Sequence, residues 1–488
     1  MFMSFCLIFA LLFSGCMIGP DYKRPGAEVE SSWQDIDDPL VSSAAASDPN
    51  WWQTTFNDLH LNDLVEMSLD GNLTLRSAGL RVLQSQQVLA IAVGGQFPQL
   101  QQISGLALKE RSTGSTFEDY NLGFNLSWEV DFWGRFRRQI ESASAELDAS
   151  VAGYDDAVLS LVSQVARTYI LIRTFQDRIV VANDNIELQT ESLRIARAKA
   201  DAGEVSELDA DQAETLLYNT KASVSSLEIS LQQLKNSLAI LLGKPPFDLR
   251  YLLGEKSYIP SVDAEIAIGM PQDIIRRRPD IRIAERQLAA QSAQIGFAMT
   301  DLYPHFSIGG SIGTEKLNNT NLFGSNSESW SLFGLFEWDV FNYDRLKGNV
   351  RLQDAVFQQL LVDYRNTVLQ AQADVENAIV AYLKSHQQLD SYQLAAEASQ
   401  RSVQISKAQY DNGLINYNTV INTLTANVNQ QDLLSVTKGT VAANLIEVYK
   451  SLGGGWQIRA GKNPVDYLPV EMKEQMRQRT ADWKGVLE

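Results

Sequence analysis

The sequence predicts an α+β chain in which long antiparallel helical hairpins carry a small membrane β-sheet, the whole unit written twice. Three observations predict it. Proline and glycine are missing from very long stretches that also carry heptads. Two segments alternate apolar and polar residues, with aromatics at their ends. The first half of the chain is echoed by the second at offsets of 206 to 210 residues.

Composition sets the outer bounds. The 488 residues are 45% hydrophobic and 20% charged, with a formal net charge of −18. Such acidity excludes a nucleic-acid partner, which would need Lys and Arg against the phosphates. The three histidines (His60, His305, His386) are scattered, and the two cysteines (Cys6, Cys16) form neither a CxxC zinc site nor a disulfide framework. No nucleophile–base pair and no Gly-rich phosphate loop stands out, so the chain reads as a non-enzyme without a cofactor or metal.

Residues 1–15 carry no charge, and Phe5 to Phe13 form an apolar run. The run is too short for a bilayer span of ~20 residues and fits the core of a secretory signal. Ser14-Gly15-Cys16 resembles a bacterial lipobox, which makes 1–15 the signal and Cys16 the lipidated first residue of the mature chain. Residues 16–57 then form a lipid-anchored N-terminal arm.

The first repeat, 58–246, begins with a helix, continues as a β-hairpin over about 100–131 and ends in a long helical hairpin. In the hairpin strands, Tyr120, Leu122, Phe124, Leu126, Trp128, Val130 and Phe132 alternate with polar or small residues. That is the pattern of a membrane strand of ~10 residues. A weaker strand, about Leu100–Arg111, precedes it, and Ser112–Glu118 is the linking loop.

The helical hairpin follows from what is absent. Residues 99–244 contain no Pro and residues 204–242 no Gly, the two residues most costly inside a helix. Val158, Val165, Ile172, Ile179, Ile186 and Leu193 recur every seven residues, with Leu161, Thr168, Phe175, Ala182, Gln189 and Ala196 three behind. This a/d seam predicts a left-handed supercoil. After a turn at Gly203 the chain returns through Leu217, Val224, Leu231 and Leu238, and stops at Leu242-Gly243 before Pro245-Pro246.

A linker, 247–270, leads to the second repeat, 271–456. Leu75, Ala78 and Pro98 are answered 206 residues on by Ile281, Ala284 and Pro304. Asp131 is answered by Asp339, and Asp201-Ala202-Gly203 by Asp411-Asn412-Gly413. The second β-hairpin, about 305–341, carries Trp330, Leu332, Phe336, Trp338 and Val340, with Phe333 and Leu335 blurring its polar face. The Gly- and Pro-free stretch 349–412 would reach ~95 Å as one helix. The tail, 457–488, reads as polar and loosely ordered.

Four strands cannot close a barrel, and lipid offers edge N–H and C=O groups no partners. Several chains must share one barrel; two, three or four would supply ~8, ~12 or ~16 strands.

Particular motifs carry a family resemblance. Gly19-Pro20-Asp21-Tyr22-Lys23-Arg24-Pro25, Trp51-Trp52 with Phe56, Asp58 and Leu64, Val130-Asp131-Phe132-Trp133-Gly134-Arg135, Arg278-Pro279-Asp280-Ile281-Arg282 with Ala284-Glu285, and Leu452-Gly453-Gly454-Gly455-Trp456 resemble outer-membrane efflux lipoproteins of the TolC/NodT family. The resemblance implies a TolC-like homotrimer with a 12-stranded β-barrel in the outer membrane of a Gram-negative bacterium. A long helical barrel would continue it into the periplasm. It implies the exit duct of a tripartite efflux system, with a periplasmic membrane-fusion adaptor, an inner-membrane RND-type transporter and outer-membrane lipid as partners. A duct for protein secretion (type I) and a lipid-anchored coiled-coil scaffold without a pore stay open as alternatives.

Under that resemblance the expected site is positional. The two helical turns, Asp201–Glu207 and Tyr410–Tyr417, should form the periplasmic aperture and adaptor contact, through Asp201, Gly203, Glu204, Asp209, Tyr410, Asp411, Gly413 and Asn416. Asn416 stands where relatives often have an acid. Phe124, Leu126, Trp128, Trp330, Phe336 and Trp338 mark the expected membrane strands. Arg278 and Asp280 read as structural, at a helix start set by Pro279.

Overall fold

The computed structural model describes residues 17–487 apart from 43, 45–47, 255–257, 262–265, 318–321, 323, 325–326 and 460. The lipidation candidate Cys16 and the signal lie outside the described residues.

In chain order the elements are β1 (Val41–Ser42), α1 (Trp51–Phe56), α2 (Leu59–Gly71), α3 (Leu73–Gly94), β2 (Leu100–Ser112), β3 (Ser115–Glu129), α4 (Arg135–Asp201) and α5 (Glu207–Leu241). There follow α6 (Arg250–Leu253), β4 (Ile266–Ala267), α7 (Pro271–Arg277), α8 (Pro279–Thr300), β5 (His305–Leu317), β6 (Glu328–Glu337), α9 (Arg345–Asp411), α10 (Tyr417–Ser451) and α11 (Val470–Arg479). The sequence repeat is a structural repeat. Helices α4 and α9 each have 67 residues, α5 and α10 each have 35, and α3 and α8 each have 22. The turns match as well: Gly203 and Gly413 sit at φ +73 and +70, a left-handed conformation that suits glycine after a helix end. No described helix is long and apolar enough to cross a membrane.

The chain divides into two compact units, each drawing on both repeats. One comprises the described residues up to Ala27 with Leu80–Ala152 and Asp280–Thr367; the other comprises Glu28–Gly79, Gly153–Pro279 and Val368–Glu488.

The first unit holds the sheet, with strand order β2-β3-β5-β6 and every neighbouring pair antiparallel. Beside it, α4 and α8 pack through small residues; Ala145, Ala289 and Ala290 are buried with Tyr22 against them. Three expectations are corrected here. The β2–β3 loop is not Ser112–Glu118 but Thr113-Gly114 alone, since both residues take positive φ (+49 and +90) and so make the two-residue turn that matches strand twist. Strand β3 ends at Glu129, short of Phe132, because the Asp131 carboxylate accepts the Phe136 and Arg137 amides at 3.1 Å each and starts the helix. Trp338 lies one residue beyond β6: its indole donates to Leu302 O at 3.1 Å, and the chain leaves the ladder there.

The second unit holds the helical bundle. Of the heptad positions on α4, Val158, Val165, Ile172, Leu193, Leu161, Ala182, Gln189 and Ala196 are buried, while Phe175, Ile179 and Ile186 are half-buried. On α5 the seam is incompletely covered: Leu217 and Leu238 are buried, while Val224, Leu227, Leu231 and Leu234 are half-buried. The tail is not loose. Arg459 forms a two-bond ion pair with the buried Asp155 at 2.7 and 3.1 Å, and Val465, Leu468, Met476 and Leu487 are buried. Trp51, fully buried, stacks on Tyr449 at 5.0 Å and donates to Gly454 O. Arg278 donates to Ser451 O at the end of α10 and to Asp374, a helix-end fastening in keeping with its structural reading.

Candidate functional site

Alternation gives the sheet two chemically distinct faces, because residues directly opposite in a ladder point the same way. Ile103, Phe124, Ile312 and Trp330 lie in one row across all four strands, and all four are exposed. Leu126, Trp128 and Phe336 share that face by register. The next row, Gln102, Asn125, Ser311 and Ser331, is polar throughout. On that face Asn125 donates to Ser104 Oγ at 2.9 Å, and the Ser311 and Ser331 hydroxyls share a bond of 2.8 Å. Phe333, which blurred the pattern in the sequence, sits over a glycine: a Cβ on Gly309 would lie 2.5 Å from its ring. An exposed apolar face backed by a polar one suits a wall between lipid and water. Among the described residues, the outer strands β2 and β6 each leave one edge unpaired.

The helical turns are built by capping. Gly203 N–H donates to Ala200 O, and Glu204 N–H to Lys199 O, both at 2.9 Å, which closes α4. Ser206 caps α5 by accepting from Leu208 N–H at 3.2 Å. Gly413 and Leu414 repeat the closure on Tyr410 and Gln409 carbonyls. Asn416 caps α10, its Oδ1 accepting from the Thr419 amide at 3.3 Å and the Thr419 hydroxyl at 3.0 Å. An uncharged side chain serves at that position because the helix asks only for an acceptor.

The two turns meet around Lys199, which no motif in the sequence marks. Lys199 reaches Asp411 O at 3.4 Å and Glu204 Oε2 at 3.6 Å, and its ammonium stands 5.2 Å from the Tyr410 ring centroid. Tyr410 packs on Tyr417 with centroids 5.1 Å apart, and Tyr417 OH shares a 2.9 Å bond with Ser192. Burial first, then the negative charge of Asp209, push the Tyr410 phenol up to about 12. Asp201, Glu204 and Asp411 are exposed and Asp209 half-exposed. Lys199 was legible only as a last-turn cation, which favours a helix C-terminus in general.

The family described as outer membrane efflux protein matches the chain twice, over residues 64–244 and 270–454. Nodulation protein T of Rhizobium leguminosarum bv. trifolii is 30% identical over 466 residues, covering 94% of this chain and 97% of that protein. The solvent efflux pump outer membrane protein SrpC of Pseudomonas putida is 28% identical, covering 94% and 99%. Among solved structures, the outer-membrane channel OprN superposes with a TM-score of 0.85 at 30% identity, covering 91% of this chain and 100% of that one.

Proposed function

The chain belongs to the outer membrane efflux protein family, and we propose that it works as the exit duct of a tripartite pump. Cargo delivered by a periplasmic adaptor and an inner-membrane RND-type transporter would pass through it passively and leave the cell. The observation that carries this reading is the four-stranded sheet with its apolar row, its polar row and its two open edges.

A homotrimer completes the duct. Three chains bring twelve strands, pair every open edge and remove the cost of bare backbone groups in lipid. Exposed apolar residues on α9 support a further contact between copies: Leu369, Val380, Leu394 and Ile405 are all exposed, and at 100° per residue they fall within roughly 40° of one line. The lipid on Cys16 adds an anchor beside the barrel. The long hairpins extend into the periplasm, and their turns, with Asp201, Gly203, Glu204, Asp209, Tyr410, Asp411, Gly413 and Asn416, meet the adaptor. Native mass spectrometry of the detergent-extracted protein tests the assembly. Three chains per particle is the expected result; a monomer would leave the sheet open and overturn the reading.

A further inference from the structure

The segment that begins at Met17 lies in a groove made for it. Arg138 on α4 is fully buried, and its guanidinium is spent chiefly on that segment. Nε donates to Ile18 O at 3.0 Å, and Nη2 to Gly19 O at 3.0 Å and Asp21 Oδ1 at 3.1 Å; Nη1 holds Glu141 at 2.7 Å. Ile18 N–H donates to Trp133 O at 3.0 Å. Glycines make the fit. A Cβ on Gly19, at φ +100, would lie 2.3 Å from Gly296 Cα on α8, and one on Gly134 would lie 2.7 Å from Met17 Cγ. Tyr22 closes the far end, donating to the buried Glu285 at 2.7 Å. A buried guanidinium is costly unless its donors are satisfied, and here most of them are satisfied by backbone and carboxylate oxygens of the arm.

We propose that Arg138 is the positioning residue of a docking groove for residues 17–22. It seats the arm between α4 and α8, with the Ile18 amide bonded to the Trp133-Gly134 corner. Hydrogen exchange read by mass spectrometry on the full-length, detergent-extracted oligomer tests the groove. In Arg138→Gln, exchange of the 17–22 amides should rise at least tenfold while β3 and the remainder of α4 keep their protection. An arm that stays protected, or a rise shared equally by β3 and α4, overturns the proposal. Should Arg138→Gln fail to fold, Gly19→Ala decides, since its Cβ would meet Gly296 in the wall of the groove: release of the arm with the sheet still protected supports the groove, and continued protection overturns it.

Discussion

Asn427 on α10 donates its side-chain amide to Asn185 Oδ1 on α4 at 2.9 Å, and neither side chain is exposed. Asn185 in turn donates to Gln431 at 2.7 Å, and Ser399 donates to Asn427. A polar layer thus interrupts the apolar bundle, fully paired along α4, α9 and α10 at these positions.

Asn427→Leu should therefore destabilise the bundle by about 1–3 kcal/mol, the cost of leaving a buried polar partner unpaired. The double variant Asn185→Leu/Asn427→Leu should recover most of that loss, because both partners become apolar together. Denaturant titration of the detergent-extracted protein checks the pair.

Helix α10 approaches α4 closely at Gly439, where an added Cβ would lie 2.0 Å from Thr174 Oγ1. Gly439→Ala should cost about 1–3 kcal/mol by overpacking. Adding Thr174→Ala should return part of it, and a double-mutant cycle would expose the coupling. Strictly additive losses would contradict the contact.

Alkali should loosen the turns. The Tyr410 phenol, ordinarily at 10.0, is pushed up to about 12 by burial and by Asp209. A folded value above the unfolded one means stability that is intact below pH 10 and is lost between about pH 10 and 12. Tyr410→Phe should reduce that loss, the buried Tyr417 phenol, also pushed up, keeping a share of it; protease resistance of the turns across the pH series is the readout.

The helical hairpins were legible almost to the residue. The expected turns Asp201–Glu207 and Tyr410–Tyr417 coincide with the end of α4 and start of α5, and with their counterparts on α9 and α10. Glycine at each helix end and long proline-free runs make such boundaries local matters. The strand ends were not legible, since apolar alternation continues through Val130 and Phe132 into a corner set by the Asp131 carboxylate. Nor was the tail: Val465, Leu468, Met476 and Leu487 are too sparse to show a period, yet each finds a buried place. Arg138, Lys199 and the Asn185–Asn427 pair escaped because their partners are distant in sequence or leave no pattern in it.

The two faces of the sheet make opposite demands on neighbouring residues. Ile312→Arg, in the apolar row, should cost about 2–4 kcal/mol if it meets the middle of the lipid layer, and should sharply reduce the yield of heat-modifiable oligomer in outer membranes. Ser311→Arg, one residue away in the polar row, should assemble near the wild-type level. Equal tolerance of both would contradict the lipid-facing assignment.

Cys16→Ser should abolish incorporation of labelled acyl chains. Label persisting on that variant would contradict the anchor.

Copies of this chain that share one barrel should form a water-filled pore through a bilayer, and ion conductance of the purified oligomer in a planar lipid bilayer tests this most directly. Discrete, ohmic conductance steps are the expected result. An oligomer that conducts no ions in the bilayer and remains soluble without detergent would contradict the duct and favour a scaffold without a pore.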